Sequence, residues 1–139
     1  MNASIVFLAI AVVIVGVFIF VAIQITQNRK HNFDVEKYQT SWLEIENSLI
    51  KENKASYNMS VVEADKLLDK ALNEMGVPGK TMGDRLKKAG GRFSHLNSVW
   101  SAHKQRNAIA HEHGYQLDYN QAKHALAVFR QALKDLGAI

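Results

Sequence analysis

A long uncharged run at the N-terminus constrains this chain more than any other feature of its sequence. The first 27 of its 139 residues carry no charged side chain, and residues 3–25 are almost continuously apolar. An α-helix rises 1.5 Å per residue, so this run is long enough to cross the roughly 30 Å hydrocarbon core of a bilayer. A cleaved signal peptide fits less well, because no cationic segment precedes the run and no Ala-x-Ala site follows it. The sequence therefore predicts one transmembrane helix.

The first basic cluster, Arg29-Lys30, follows directly after the apolar run. Positively charged residues that flank a membrane span are retained on the cytoplasmic side. We therefore expect a single-pass membrane protein with a very short outer N-terminus and a cytoplasmic C-terminal domain. The predicted division is an anchor with its juxtamembrane basic segment at residues 1–30, followed by a helical domain at residues 31–139.

Beyond the anchor, the chain has the features of an all-α domain. It contains one proline, Pro78, and no alternation of apolar and polar residues that would indicate strands. Apolar residues recur three and four positions apart, as on one face of a helix. The connections are short, which favours an antiparallel bundle of about five helices. The predicted helices cover residues 33–53, 60–76, 81–89, 94–114 and 118–137.

Capping signals mark several of the predicted helix ends. Ser60 with Glu63, and Asp118 with Gln121, have the spacing of a capping box, in which two side chains satisfy free backbone N–H groups at a helix start. Gly114 is placed to end the fourth helix, because glycine readily adopts the left-handed conformation that closes a helix.

Several classes of site are excluded or disfavoured by composition. Cysteine is absent, which excludes a disulfide framework, a thiol nucleophile and a thiolate zinc site. His111 and His113 would lie nearly opposite each other on a helix, and the His-Glu-x-x-His zinc pattern fails at Tyr115. No metal and no cofactor is therefore expected. The remaining histidines are predicted to be surface residues: His31, His95 and His124.

Charge is distributed unevenly along the predicted domain. Residues 33–76 contain five Lys and Arg against nine Asp and Glu, whereas residues 80–106 contain seven Lys and Arg against Asp84 alone. The second window is therefore +6, and a local surplus of this kind attracts polyanions. A solvated basic face without a ligand explains the same count.

The fourth predicted helix carries polar residues where a bundle normally places core side chains. At about 100° per residue, the apolar residues of this helix gather on one sector. His103, Arg106, Asn107 and His111 fall in or beside that sector. Partly buried Arg and His side chains are costly without partners, so an anion, a second subunit or a structural carboxylate should face them.

The segment Arg106-Asn-Ala-Ile-Ala-His111 resembles the Arg-Asn-x3-His signature of the HEPN superfamily. Other features are also similar to that family, namely Trp100 one and a half turns before the motif and an amphipathic helix after it. The resemblance covers residues 33–139, and about 20 of them carry its specific signal. It implies a small helical bundle that dimerises so that two such motifs face a shared cleft.

Many members of this family are metal-independent endoribonucleases, and others are noncatalytic binding or scaffolding modules. The resemblance implies that Arg106 and His111 are the catalytic pair, that Asn107 orders the site, and that His103 assists or lines the cleft. Cleavage without metal needs proton transfer at the ribose 2′-hydroxyl, which suits histidine, and stabilisation of a phosphorane, which suits a guanidinium. The predicted RNA contacts in the basic window are Lys88, Arg92 and Lys104.

Two interpretations of function therefore remain open. In the first, the chain is a membrane-anchored ribonuclease that cuts RNA through Arg106 and His111. By analogy with the family, such an enzyme would be a defence or stress effector, with an antitoxin or another protein as its partner. In the second, a noncatalytic, membrane-tethered interaction module uses the same cleft for dimer or partner binding. In this case Arg106 could pair with an acidic residue of the first two helices. His111 could interact favourably with the free backbone carbonyls at the C-terminal end of its helix.

Overall fold

Six α-helices and one 3₁₀ turn make up the described part of the chain, residues 2–27 and 31–139, in a computed structural model. Side chains are described for residues 2–23 and 31–139. No strand occurs in these ranges, which confirms the all-α prediction. Two compact units are present, residues 1–30 and 31–139. The helices are α1 (Ala3–Gln27), α2 (Val35–Ser48), α3 (Ala55–Glu74), α4 (Met82–Ala89), α5 (Leu96–His111) and α6 (Tyr119–Leu136), with the 3₁₀ turn at Gly90–Arg92.

The first unit consists of α1, a helix of 25 residues. Its segment Ala3–Ile23 is long and apolar enough to cross a membrane. All of the described side chains in this segment are exposed. The Arg29-Lys30 cluster, on which the predicted orientation depends, lies outside the described residues.

The second unit is built around α3, which contacts α2, α4, α5 and α6. Side chains from α3, α4 and α6 are fully buried at its centre. They are Leu68 and Leu72 of α3, Leu86 of α4, and Phe129 and Leu133 of α6. Burying a side chain of this size contributes about 1.5–3 kcal/mol, so these five side chains stabilise the domain substantially.

Hydrogen bonds between helix ends show the relative directions of neighbouring helices. Tyr38 near the start of α2 donates a hydrogen bond of 2.7 Å to Glu74 at the end of α3, so α2 and α3 are antiparallel. The backbone N–H of Ser94, just before α5, donates to Asp135 near the end of α6 at 2.8 Å, so α5 and α6 are antiparallel as well. These two pairs agree with the antiparallel arrangement that the short connections predict.

Two predicted helix boundaries are wrong. The first helix of the domain ends at Ser48 rather than near residue 53. The second begins at Ala55, so Ser60 is not a cap. Ser60 is fully buried inside α3, and its hydroxyl donates to the carbonyl of Tyr57 at 3.0 Å. A serine inside a helix can donate its hydroxyl to a preceding backbone carbonyl. Because the spacing of Ser60 and Glu63 is the same as in a capping box, the sequence pattern alone does not distinguish the two cases.

The fourth predicted helix is also shorter than expected at both ends. It begins at Leu96 rather than Ser94, and it ends at His111, with Glu112 in extended backbone as its cap. Gly114, the predicted end, lies beyond the helix with a φ of 74°. Ser94 instead donates its hydroxyl to Asp135 at 2.7 Å, which fastens the start of α5 to the end of α6.

The capping box predicted at Asp118 and Gln121 is confirmed. The Asp118 carboxylate accepts from the backbone N–H of Gln121 at 2.8 Å, and the Gln121 side chain accepts from the backbone N–H of Asp118 at 2.9 Å. The helix closes at Gly137, whose φ of 77° is left-handed. The start of α6, the helix that packs on both α3 and α5, is therefore well defined.

We expect Asp118→Ala to lower the free energy of unfolding by about 1 kcal/mol, because the first turn of α6 loses its side-chain acceptor. Urea denaturation followed by tryptophan fluorescence measures this loss. Asn120→Ala is the matched control, since Asn120 is exposed in the same turn and alanine favours a helix. Equal losses in the two variants would contradict a capping role for Asp118.

His31 does not lie free on the surface, contrary to the prediction. Its side chain is 31% exposed, its Nε2 lies 3.6 Å from Oε1 of Glu74, and its ring packs edge-on against Phe33. The Tyr38 hydroxyl, and after it His31, hold the pKa of Glu74 below its ordinary value. Residues 31–38 are thus attached to the C-terminal end of α3.

Candidate active site

A buried acid–histidine pair joins α3 to α5. Asp65 of α3 is 2% exposed and His103 of α5 is 6% exposed. Oδ1 of Asp65 lies 2.8 Å from Nδ1 of His103. Burial of a carboxylate is costly unless its oxygens are paired. The contact with His103 therefore allows Asp65 to be buried between α3 and α5.

The second oxygen of Asp65 faces the motif arginine. Oδ2 of Asp65 lies 3.3 Å from Nε of Arg106. The distance is that of an ion pair, but the Nε–H group has no acceptor in hydrogen-bonding geometry among the described residues. The attraction is therefore chiefly electrostatic. Because the Arg106 side chain is 28% exposed, part of the guanidinium remains in contact with solvent.

Asn107 completes a ring of four side chains. Its Oδ1 accepts from a terminal nitrogen of Arg106 at 3.2 Å, and its Nδ2 lies 3.2 Å from Nε2 of His103. An arginine can only donate, so the Asn107 oxygen must face Arg106 and its amide must donate to His103. It follows that Nε2 of His103 accepts and that its proton is on Nδ1, where it donates to Asp65. With this assignment, each hydrogen bond among Asp65, His103, Asn107 and Arg106 has one donor and one acceptor.

Trp100 lies beside His103, one member of this ring of four side chains. The ring centroids of Trp100 and His103 are 6.1 Å apart, in an edge-on arrangement. The Trp100 ring lies against Gly83 of α4, where a side chain would fill the remaining space. Another ion pair links α4 to α3, with Nε of Arg85 lying 2.7 Å from Oδ1 of Asp69.

The predicted site residues fall into two groups in the structure. Arg106, Asn107 and His103 come together around Asp65, whereas His111 lies outside this ring. His111 is the last residue of α5 and is exposed. Five residues along a helix correspond to a rise of about 7.5 Å and a rotation of about 140°, so Arg106 and His111 leave α5 in different directions.

The predicted RNA contacts are exposed on three different elements. Lys88 lies on α4, Arg92 on the 3₁₀ turn and Lys104 on α5. None of the three forms an ion pair within the described ranges. Lys104 is one helical turn after Trp100, on the helix that carries the motif, and is thus the nearest of the three along the chain to Arg106.

Asp65 is the site residue that sequence analysis did not single out. Its signal was present, because an acidic residue interrupts the apolar side of the helix between Ala64 and Leu67. Helical spacing places Asp65 at the edge of that side, and the structure buries it. The noncatalytic interpretation of the sequence paired Arg106 with an acidic residue of the first two helices of the domain. In the structure, Asp65 is such a residue.

Metal chemistry has no support from clustered ligands. Among the residues that the structure describes, no group of three or more His, Asp and Glu side chains could hold a metal ion.

Comparison with protein-family models found no match, and neither did comparison with curated proteins or with solved structures.

Proposed function

We propose that the chain is a membrane-anchored, HEPN-like endoribonuclease that cuts RNA without metal through Arg106 and His111. The observation that supports this most is the fixed position of Arg106, which Asp65 and Asn107 hold while 28% of its side chain stays exposed. A guanidinium positioned before the substrate arrives stabilises charge that develops on phosphate without first having to be ordered. It also offers a planar pair of donors that suits a phosphate.

His111 supplies the proton-transfer group in this proposal. An imidazole can remove a proton from the ribose 2′-hydroxyl or deliver one to the leaving oxygen. Its exposed place at the end of α5 leaves it accessible to a polymer. His103 and Asn107 keep the arginine in place rather than touching RNA, and Lys104, Lys88 and Arg92 contact the phosphate backbone.

The proposed active form is a homodimer in which two motifs share one cleft. Arg106 and His111 diverge on α5, and a second copy brings another such pair to the same RNA. RNA is the proposed partner of this cleft, and an antitoxin or other inhibitor that covers it is the protein partner that we propose.

The second candidate function is a noncatalytic, membrane-tethered interaction module. The observation that favours it is the pairing of Arg106 with buried Asp65, because an arginine whose charge is already balanced within its own bundle needs no anionic ligand. In this case the ring specifies how α3 and α5 pack, and the surface of α5 binds a second copy or a partner protein.

We further propose that α1 spans a membrane and that residues 31–139 are cytoplasmic. We expect the full chain to resist extraction from membranes by alkaline carbonate and to keep its full length after expression, because α1 is an anchor and not a cleaved signal. We also expect protease added to the outside of sealed cells to leave residues 31–139 intact. Release by carbonate, or loss of α1 from the mature chain, would contradict the anchor.

Cleavage of mixed RNA by the purified full chain in EDTA tests the leading proposal. Loss of cleavage in His111→Ala, with the helical content and the oligomeric state unchanged, supports the enzyme. A wild-type chain that dimerises but leaves all RNA intact supports the interaction module instead.

A further inference from the structure

A second candidate site lies in a cleft between α2 and α6, formed by residues other than those of the Arg-Asn-x3-His motif. The cleft has a volume of about 280 Å³. Its apolar lining comes from Trp42 of α2, from Leu49 directly after α2, and from Leu126 and Ala127 of α6. Ala127 is small, and its short side chain leaves the space that a longer one would occupy.

The cleft is strongly cationic along one side. Lys123, Arg130 and Lys134 all line it, and their spacing of seven and four residues places them on one flank of α6. Glu46 is the acidic residue in the lining, and its Oε1 lies 3.7 Å from a terminal nitrogen of Arg130. Within the described part of the chain, Lys123 and Lys134 form no ion pair. Two cations at the cleft are thus available to an anion.

An unpaired donor is found in the same lining. Trp42 is 3% exposed, and its indole Nε1–H has no hydrogen-bond acceptor among the described residues. Most buried polar groups in proteins are paired, so an orphaned N–H beside a cleft requires an explanation. An anionic oxygen is an acceptor that these residues do not provide, and it would complement the neighbouring cations as well.

We propose that the α2–α6 cleft binds a small organic anion, a carboxylate or phosphate joined to an apolar group of about one aromatic ring. The apolar part packs on Leu49 and Leu126, and the anionic group accepts from the indole N–H of Trp42, with Lys123 and Lys134 as the nearby cations. The cleft volume is near the lower limit of about 300 Å³ for ligand pockets, so it suits a compact ligand rather than a polymer. This site is independent of RNA cleavage.

The test compares two probes of nearly the same shape, 4-nitrobenzoate and 4-nitrobenzyl alcohol, whose nitro groups quench tryptophan fluorescence. The full chain, reconstituted in nanodiscs of neutral phosphatidylcholine, is used as Trp100→Phe, which leaves Trp42 as the only tryptophan. We expect saturable quenching by 4-nitrobenzoate and roughly tenfold weaker quenching by the alcohol, which lacks the charge. Trp42→Phe retains Trp100 and is expected to show no saturable quenching.

Two further variants of the Trp100→Phe chain assign the site to this cleft. Lys123→Gln with Lys134→Gln is expected to weaken 4-nitrobenzoate binding by roughly three- to tenfold, since two exposed charge interactions are lost. Ala127→Leu fills the cleft and is expected to remove saturable quenching. Lys80→Gln with Lys87→Gln removes two exposed cations elsewhere and should leave 4-nitrobenzoate binding unchanged. Equal quenching by both probes, or quenching indifferent to Lys123, Lys134 and Ala127, overturns the proposal.

Discussion

We expect His111→Ala to lower the rate of RNA cleavage by a factor of about 10² to 10⁴, the range that general acid–base catalysis contributes. His111 is exposed at the end of α5 and takes no part in the Asp65 ring, so its removal leaves the packing of α3 on α5 unchanged. The loss should therefore appear in catalysis and not in stability. Single-turnover cleavage of a labelled RNA in EDTA measures it.

The matched control is His113→Ala, which removes another exposed histidine two residues further on. It should leave the cleavage rate within a factor of about two, because it shares the solvent exposure of His111 but not its place in the motif. Similar losses in both variants would indicate a general electrostatic effect on RNA binding. Full activity in His111→Ala would remove His111 from the catalytic pair.

Arg106 is better tested by lysine than by alanine. Lysine keeps a positive charge near Asp65 and so preserves the ion pair, but it lacks the planar fork of donors. We expect Arg106→Lys to remain folded while losing most of its RNA cleavage. Arg106→Ala would leave the buried Asp65 carboxylate without its cation, so that loss of activity and loss of structure could not be separated.

The sequence predicted the helix class and most helix positions because periodicity and glycine or carboxylate caps are local signals. Asp118 with Gln121 formed the capping box that their spacing predicts. Ser60 with Glu63 has the same spacing but lies inside a helix, because α3 begins at Ala55 and buries Tyr57, three residues before Ser60. Tertiary packing, which the local pattern does not contain, decided that boundary.

The site was predictable in its composition but not in its geometry. Helical projection placed Arg106 and Asn107 off the solvent face, and the need for a partner followed from the cost of burial. The partner itself is 41 residues away in the sequence, at Asp65. The packing of α3 against α5 selects Asp65 over the neighbouring acids, and it also brings the predicted His103 into contact with Asp65.

We expect Asp65→Asn to lower the free energy of unfolding by about 3 kcal/mol, a typical cost of breaking a buried ion pair by removing one partner. The new amide still accepts from His103 through its oxygen, but its NH₂ group then faces Arg106, which can only donate. Both tryptophans, Trp42 and Trp100, lie in the helical domain, so urea denaturation followed by fluorescence reports on that domain. The RNA cleavage of the folded variant is measured alongside.

Asp69→Asn is the control for this effect, because Asp69 lies one turn along the same helix and also pairs with an arginine. Its side chain is 32% exposed, compared with 3% for Asp65, so water replaces the lost interaction and the cost should stay below about 1 kcal/mol. Equal costs at the two positions would contradict a special role for the buried ring. A stable Asp65→Asn chain that no longer cleaves RNA would instead assign Asp65 to positioning Arg106, since a purely structural carboxylate affects activity only through folding.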